Sequence, residues 1–312
     1  MAQKPGLLIV AGPTASGKTA CAVELALRLG GEVVSADSMQ VYRGMDILTA
    51  MPTREEMRGV RHHMLAVADP REKFSAAAYR EAAMKCIEGI RARGGTPILC
   101  GGTGLYIDAL TRPMGFGERG SDEIRAELAE IAQRPGGREA LHAMLRAVDP
   151  ESAARLHPND VRRVARAIEI HRLTGRTQTE QALHDARQEG PFDERMFALD
   201  WPRDELYRRI DLRVEKMLGT GLVGEVRRLM ADEGHYSTAR QAIGYKEIAA
   251  ALRGECAMEA AIMTLKQATR NYAKRQLTWF RRDTRARWIS ASGRSPSDIA
   301  CEIAAKIEGD AR

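Results

Sequence analysis

The sequence of 312 residues lacks any continuous apolar run approaching the roughly 18 residues that a membrane-spanning helix needs. Its five cysteines are scattered and form no CxxC pair, which argues against a zinc ribbon or a disulfide framework. We therefore expect buried, free thiols. The first residues, MAQKPG, lead directly into an apolar run, so we expect no leader peptide and a cytoplasmic location, without membrane contact.

The composition is that of a folded globular chain, with 44% hydrophobic and 29% charged residues. The net charge of +6 is a weak indication of a polyanionic partner. Neither an internal repeat nor a low-complexity segment interrupts the chain. These bulk properties permit an enzyme or a nucleic-acid-binding protein and do not distinguish them.

Strand and helix patterns alternate in the first third of the chain. Strand patterns cover residues 7–11, 32–38 and 96–104, and amphipathic helix patterns cover 18–29 and 75–93. This alternation predicts an α/β fold with a parallel sheet and helices on both faces.

The middle of the chain carries helix patterns only, before strand patterns return. The helix patterns cover residues 121–133, 138–147, 161–174 and 178–188, and the later strand patterns cover 195–201 and 286–290. We therefore predict a P-loop NTPase-like α/β core made of residues 1–117 and 192–312. An all-helical lobe, residues 118–191, is inserted into it.

A complete phosphate-binding loop pattern, GxxxxGKT, follows the first strand and precedes the first helix. Glycines and the helix N-terminus direct backbone N–H groups at an anion, and a lysine neutralises terminal phosphate charge. A hydroxyl at the end of the pattern is a typical Mg²⁺ ligand. The pattern predicts binding of a di- or triphosphate by Gly12, Pro13, Thr14, Ala15, Ser16, Gly17, Lys18 and Thr19, with Thr19 as the metal ligand.

The strand at residues 97–100 ends in GGTG rather than in a carboxylate. A motor-type NTPase usually has an acidic residue there that holds Mg²⁺ through water. The motor interpretation is weakened, whereas a small-molecule kinase remains open.

Asp37 lies at the carboxyl end of the second strand pattern, where ligands collect in open parallel sheets. A carboxylate there can accept a proton from an attacking hydroxyl or amine. The alternative is an aspartate that only caps a helix or a turn. Ser38 and Gln40, beside it, are suited to hydrogen bonding with a purine edge.

Seven segments together carry a resemblance that covers residues 7 to about 290. They are, in order, GPTASGKT, SADSMQVYRGMDI, HHML, ILCGGTGLYIDAL, NDVRRVARAIEIHRLTG, ARQAIGYKE and TRNYAKRQLTWFRRD. The chain closely resembles the tRNA dimethylallyltransferase (tRNA isopentenyltransferase) family. That family transfers a dimethylallyl group from dimethylallyl diphosphate to N6 of the adenosine 3′-adjacent to the tRNA anticodon.

The resemblance implies that the loop holds the diphosphate leaving group, with Mg²⁺ as cofactor and no ATP hydrolysis. It implies four catalytic residues: Asp37 as the base, Thr103 near the reacting centre, and Lys18 and Arg213 on the diphosphate. Arg209 is the weaker match for that arginine.

The resemblance also implies contacts to the anticodon stem-loop of tRNA and a monomeric enzyme. The implied tRNA contacts are Asp37, Ser38, Met39, Gln40, Thr103, Arg125, Arg162, Arg163, Val164, Ala165, Arg166, Gln241, Ala242, Ile243, Gly244, Tyr245 and Lys246. Leu48 and Met51 depart from the family pattern, which has a glycine and a lysine there. The segment 177–179, TQT, stands where PLS is usual.

Two basic clusters are visible without the resemblance. On a helical wheel, Lys266, Arg270, Lys274, Arg281 and Arg285 form one stripe, which we interpret as a footprint for RNA phosphates. Tyr272 and Trp279 lie opposite and are expected in the core. The other cluster lies in the helical insertion and comprises Arg155, Arg162, Arg163, Arg166, Arg172 and Arg176. A metal site at His62–His63 is not expected, because neighbouring strand residues face opposite ways.

Two other functions remain open from the residues. A nucleoside or other small-molecule kinase explains the loop and Asp37 but leaves both arginine clusters without a role. A non-catalytic RNA-binding protein with a nucleotide switch explains the charge but leaves Asp37 and Thr103 without one.

Overall fold

The computed structural model of the chain describes residues 4–113, 120–186, 188–236 and 238–310. The predicted domain boundary between residues 117 and 118, and residue 187 of the predicted helix 178–188, lie outside them. The described part divides into two compact units, residues 1–111 with 192–312 and residues 112–191.

A six-stranded, wholly parallel sheet forms the centre of the larger unit. Its strands are β1 (Gly6–Ala11), β2 (Gly31–Ala36), β3 (His62–His63), β4 (Thr96–Gly101), β5 (Asp193–Asp200) and β6 (Ala286–Ser290). Their spatial order is β3-β2-β4-β1-β5-β6. This confirms the predicted α/β class and adds the short strand β3.

Fourteen α-helices occur in the described residues. They are α1 (Lys18–Leu29), α2 (Arg54–Met57), α3 (Ala76–Ala92), α4 (Gly104–Thr111), α5 (Asp122–Gln133), α6 (Gly137–Val148), α7 (Pro150–Arg155), α8 (Val161–Thr174), α9 (Gln178–Ala186), α10 (Arg203–Gly219), α11 (Leu222–Met230), α12 (Tyr245–Leu252), α13 (Met258–Arg282) and α14 (Pro296–Asp310). Within the described ranges, none of them is both long and apolar enough to cross a membrane.

Alternate residues of the central strand β1 contribute to two separate apolar cores. Leu8 and Val10 pack with residues of α1 and α14, whereas Leu7 and Ile9 pack with residues of α3, α4 and α10–α13. Ile9 is fully buried. The side-chain period of two in a strand explains the division, and it confirms helices on both faces of the sheet.

The carboxyl ends of β1, β2 and β4 meet at one edge of the sheet. Gly101, the last residue of β4, is in register with both Ala11 and Ala36. The loops that follow these three strands therefore emerge side by side, and they contain the P-loop, Asp37 and Thr103.

The smaller unit is all-helical and has its own core, formed by Leu128, Leu141, Leu145, Val164 and Ile168 with their neighbours. Helix α7 was not predicted, because its DP sequence was interpreted as a separator. Asp149 in fact caps this helix, since its Oδ1 accepts from Ser152 N at 3.0 Å. A proline at the first helical position fits that role.

The cysteines are free, as expected, but not all are buried. Cys21 and Cys100 are buried, and burial raises the pKa of the Cys21 thiol to about 12 and that of Cys100 to about 11. Cys256 and Cys301 are exposed, which corrects the prediction of buried thiols.

Candidate active site at the P-loop

The P-loop has the conformation that the sequence predicts. Gly17 takes φ of 86°, in the left-handed region that glycine occupies without strain, and precedes the first turn of α1. The first N–H groups of a helix have no intrahelical acceptor, so those of Lys18 and Thr19 can bind an anion. The N–H of Thr14 differs, because it donates to Oε1 of Gln276 at 2.8 Å.

A cavity of about 230 Å³ opens at the carboxyl ends of β1, β2 and β4. Among the residues singled out in the sequence, its lining includes Thr14, Lys18, Thr19, Asp37, Ser38, Met39, Gln40, Arg213, Gln241, Ala242 and Ile243. The structure thus brings four of the nine predicted diphosphate residues, Thr14, Lys18, Thr19 and Arg213, together with part of the predicted tRNA set.

Two half-buried cations face this cavity. The Lys18 ammonium donates to the carbonyl of Pro13 at 3.2 Å, and the Arg213 guanidinium lies 3.5 Å from the carbonyl of Ala50. Within the described residues, neither forms a salt bridge. Burial lowers the pKa of Lys18 and of Arg213; the positive charge of Arg213 lowers that of Lys18 further, whereas Asp37 raises both.

The charge of the cavity wall is unbalanced. Lys18, Arg213 and Arg275 are basic and Asp37 is the single acid among the lining residues, so three positive charges against one negative leave two in excess. Desolvated like charges are unfavourable unless an opposite charge compensates them. The arrangement therefore favours an anionic ligand with several charges.

Asp37 lies in the turn that follows β2. Its Oδ1 accepts from the N–H of Met39 at 2.9 Å and, more weakly, from that of Gln40 at 3.4 Å. The residue thus has the turn role that was the alternative to catalysis. Oδ2 has no such contact among the described residues, so one carboxylate oxygen remains available to a substrate in the cavity.

Thr103 connects the loop after β4 with the turn of Asp37. Its Oγ1 accepts from the N–H of Ser38 at 3.0 Å and lies 3.4 Å from the Ser38 hydroxyl. Tyr272 of α13 lines the same cavity, and burial raises the pKa of its hydroxyl to about 12. The tyrosine hydroxyl therefore stays protonated at neutral pH and can donate.

The side-chain amide of Gln40 is already used within the protein. Its Oε1 accepts from the Ser35 hydroxyl at 3.0 Å, and its Nε2 donates to the carbonyls of Thr49 and Ala50 at 3.2 and 3.3 Å. The expected hydrogen bonds from Gln40 to a purine edge would require these contacts to break. The amide instead fixes the segment that lines the cavity at residues 48–50.

Leu48, one of the departures from the family pattern, is part of the cavity wall. Its backbone N–H donates to Oε1 of the buried Glu225 at 2.7 Å, and Oε2 of that carboxylate accepts from Ile47 N at 3.0 Å. Glu225 belongs to α11 and was not recognised in the sequence. The departure at residue 48 thus changes the shape of the site itself and not only a peripheral loop.

The residues suited to Mg²⁺ are few. No group of three or more histidine, cysteine or acidic side chains that could hold a metal occurs in the described ranges. Thr19 and Asp37 both line the cavity, and Mg²⁺ commonly takes one or two protein oxygens with the rest from phosphate and water. The residues fit such an ion. The histidine pair has other contacts: Nδ1 of His62 hydrogen-bonds with the carbonyl of Val60, and Nε2 of His63 hydrogen-bonds with Glu32.

Three of the predicted tRNA residues of the helical unit, Val164, Arg125 and Arg166, have contacts within that unit. Val164 is fully buried in the core of that unit, so its side chain is not a nucleic-acid contact. Glu169 is buried, and it forms salt bridges with Arg125 at 2.8 Å and Arg166 at 2.6 Å. Arg162 and Arg163 are exposed.

The segment 241–246 is similarly divided. Gln241, Ala242 and Ile243 line the cavity, and Lys246 is exposed. Tyr245 is buried at the start of α12, which corrects its assignment as a tRNA contact. Gly244 precedes that helix with φ of 103°.

The predicted basic stripe of residues 266–285 is wrong in part. Helix α13 ends at Arg282, and Arg285 is held by Asp283, Glu194 and Asp108 at 2.6 to 2.8 Å. Lys266 and Arg270 form salt bridges with Glu215 and Asp211. A helical wheel shows which way a side chain points from its own helix, but not which residues of other helices it meets. The acidic residues of the neighbouring α10 therefore could not be placed from it.

The prediction for the two aromatic residues of α13 is also wrong. Tyr272 lines the cavity, and the Trp279 side chain is 41% exposed beside Gly104. Gln276 of the same helix was overlooked. It is buried and donates from Nε2 to the carbonyl of Gly102 at 2.9 Å, so it joins the P-loop to the loop after β4.

The comparisons with known proteins agree with this geometry. The family model "IPP transferase" matches residues 40–283. A tRNA dimethylallyltransferase of Geobacter metallireducens is 49% identical over 301 residues, which are 96% of each chain. One of Halalkalibacterium halodurans is 47% identical over 286 residues, which are 92% of this chain and 91% of the relative.

Two solved structures extend the similarity to the fold. A full-length tRNA isopentenylpyrophosphate transferase of Bacillus halodurans has a TM-score of 0.73 and 44% identity, covering 98% of this chain and 96% of that one. A eukaryotic dimethylallyltransferase studied acting on tRNA has a TM-score of 0.83 and 28% identity, covering 98% and 79%. On both sequence and structure, this chain belongs to the tRNA dimethylallyltransferase family.

Proposed function

We propose that this chain transfers a dimethylallyl group from dimethylallyl diphosphate to N6 of the adenosine 3′-adjacent to the anticodon, and releases diphosphate. The observation that carries the proposal is the pair of half-buried cations, Lys18 and Arg213, which form no salt bridge within the described residues and share one cavity with Asp37. Such a site suits a reaction in which the leaving group gains negative charge near Lys18 and Arg213 while Asp37 takes up a proton.

The diphosphate binds at the P-loop in this proposal. Lys18, Arg213 and the free N–H groups at the start of α1 stabilise the charge that develops as the allylic C–O bond breaks. Thr19 would hold Mg²⁺ at the loop, and the ion would further neutralise the diphosphate, while Oδ2 of Asp37 stays available to act as the base. The charge that was unbalanced in the cavity wall is thereby compensated.

The acceptor amine approaches from the side of Asp37. As N6 forms its bond to the allylic carbon, one of its protons passes to Oδ2 of Asp37, and the C–O electron pair leaves with the diphosphate. General base catalysis of this kind typically contributes about 10²–10⁴-fold. Thr103, which accepts from the N–H of Ser38, positions the turn that carries the base.

The tRNA is held in two places in this proposal. Gln241, Ala242 and Ile243 are beside the reacting centre, and the exposed Arg162 and Arg163 bind phosphates of the anticodon stem. We further propose that the enzyme acts as a monomer in the cytoplasm.

A transfer assay tests the proposal. Purified protein, unmodified tRNA, Mg²⁺ and radiolabelled dimethylallyl diphosphate are combined, with ATP as the rival ligand in parallel reactions. We expect label on the adenosine beside the anticodon, with no ATP consumed. ATP turnover on a small acceptor without labelled tRNA would support a kinase. Binding of tRNA without any turnover would support a non-catalytic RNA-binding protein.

A further inference from the structure

The outer side of the P-loop is contacted by two side chains that the reaction as proposed above does not use. Nε1 of Trp201 donates to the carbonyl of Ser16 at 2.9 Å, and Nε of Arg209 donates to the carbonyl of Ala15 at 2.8 Å. Cζ of Arg209 lies 4.2 Å from the centroid of the Trp201 ring, so the two side chains also stack.

These bonds determine which way the loop's peptide groups face. In a planar trans peptide, the C=O and the N–H point in opposite directions. The carbonyl of Ser16 shares its peptide with the N–H of Gly17, so an outward carbonyl directs that N–H toward the cavity. The adjacent N–H of Ser16 makes only a long bond of 3.3 Å to Pro13 O.

Ala15 needs such support because its backbone is unfavourable. Its φ is +63°, in the left-handed region that costs a non-glycine residue about 1–2 kcal/mol. Its methyl group is buried against Leu206, Ile210 and Ala273, of α10 and α13. Arg209 belongs to the same helix α10 and donates a hydrogen bond to the carbonyl of this strained residue.

Helix α10 thus contributes two arginines, one turn apart, to different sides of the loop. Arg213 faces the cavity, whereas Arg209 faces the backbone from outside and its guanidinium would lie 3.5 Å from a Cβ at Gly17. From the sequence, Arg209 and Arg213 were both candidates for the arginine that contacts the diphosphate. In the structure, they lie on different sides of the loop.

We propose that Trp201 and Arg209 are positioning residues that hold the P-loop N–H groups toward the diphosphate, so that the donor's affinity depends on them although neither touches it. The inference rests on the proposed function, since it requires that the loop binds diphosphate. It assigns Arg209 a directional hydrogen bond and a stacked plane, neither of which a lysine reproduces.

Isothermal titration with inorganic diphosphate in the presence of Mg²⁺ measures the effect directly. We compare Arg209→Ala, Arg209→Lys, Trp201→Phe and, as the matched control, Arg208→Ala, an exposed neighbour on α10. Loss of a hydrogen bond from a charged donor predicts about tenfold weaker diphosphate binding for Arg209→Ala. Trp201→Phe, which keeps the ring, is expected to lose about threefold, and the control to stay within about twofold.

The kinetic readout distinguishes positioning from general destabilisation. The KM for dimethylallyl diphosphate should rise in parallel with the Kd for diphosphate, while the KM for tRNA stays unchanged. Full restoration by Arg209→Lys would show that charge alone matters and would overturn the inference. So would unchanged diphosphate affinity in both Arg209→Ala and Trp201→Phe.

Lys18→Met separates this inference from the proposed function. If Lys18→Met abolishes diphosphate binding and the Arg209 variants do not weaken it, only the positioning role fails. If Lys18→Met also leaves the affinity unchanged, the loop is not the diphosphate site and the proposed function fails with it. Thermal unfolding of each variant identifies any that are not folded, and Arg209→Lys retains most of the packing.

Discussion

The basic residues of the cavity and those of the surrounding surface differ in their partners. Lys18 and Arg213 are half-buried and contact backbone carbonyls. Arg285, by contrast, is enclosed by three carboxylates, and Arg270 by Asp211. Each of these cations, in the cavity or in a salt bridge, counts the same in the net charge of +6.

The difference teaches that a positive charge indicates a ligand only where the protein has not already supplied the counter-charge. Burying a cation without a partner is costly, whereas a paired cation fulfils a role within the fold. The sequence alone does not distinguish an unpaired cation from a paired one, because both are simply lysine or arginine. Four substitutions test whether the distinction holds.

Lys18→Met should have the largest effect. It keeps most of the side-chain volume and removes the charge beside the leaving group, so kcat/KM for transfer should fall by about 10³-fold, comparable with the loss of one oxyanion donor. Steady-state kinetics with radiolabelled donor measure it. Lys266→Met, which removes a cation paired with Glu215, is the control and should change the rate by less than about twofold. Similar losses in both variants would contradict the comparison.

Arg285→Met should affect stability and not chemistry. Without this cation, the carboxylates of Asp283, Glu194 and Asp108 face one another, and loss of one partner of a buried pair costs about 3 kcal/mol. Urea unfolding measures the free energy. Arg287→Met removes an exposed cation paired with Asp310 and should cost at most about 1 kcal/mol. If the Arg285 variant kept its stability but no longer bound tRNA, Arg285 would be a tRNA contact.

Asp37→Asn tests the single carboxylate among the cavity cations. Asparagine keeps an oxygen for the N–H of Met39 but cannot accept the proton, so kcat should fall by about 10²-fold or more. Binding of tRNA, measured by filter retention, should stay within a few fold. Near-normal turnover would remove Asp37 from the role of base and leave it only the turn.

The combined change of Arg162→Ala and Arg163→Ala should have the smallest effect. If the two exposed arginines bind phosphates, with Arg163 exchanging its exposed salt bridge to Asp160 at 3.2 Å for a phosphate, the slope of log Kd against log salt should decrease by about 0.7–0.9 per lost contact. Titrations of tRNA at several salt concentrations measure it. Arg166→Ala, in which a cation paired with the buried Glu169 is lost, is the control and should lower stability while leaving the slope nearly unchanged. An unchanged slope in the double variant would exclude the pair as phosphate contacts.

Much of the fold follows from local signals in the sequence. The apolar run before the P-loop and the helical periodicities of residues 18–29 and 75–93 are determined within a few residues, and the structure confirms the elements to within one residue at each end. The strand at Ala286–Ser290 was predicted with the same limits. Asp37 and the P-loop could be recognised in the sequence, because their residue types and their position after a predicted strand are enough to identify them.

The remainder of the site depends on contacts between distant residues. Gln276 reaches Thr14 across 262 positions, and Glu225 reaches Leu48 across 177. Neither has a local pattern, because a buried glutamine or glutamate in a helix resembles an exposed one until its partner is known. For the same reason, the helical wheel of α13 mistook cations paired with α10 for a free surface.

The contact of Gln276 with Thr14 also has a consequence for biosynthesis. The loop at residues 12–19 leaves the ribosome early, yet its supporting groups, Trp201, Arg209 and Gln276, are made much later. Pairing of β1 with β5 likewise waits for residues 193–198. Because chains emerge from the N-terminus onward, the nascent chain is unable to complete its donor site until nearly nine-tenths of translation is done. In the proposed reaction, capture of dimethylallyl diphosphate is thereby coupled to a finished enzyme.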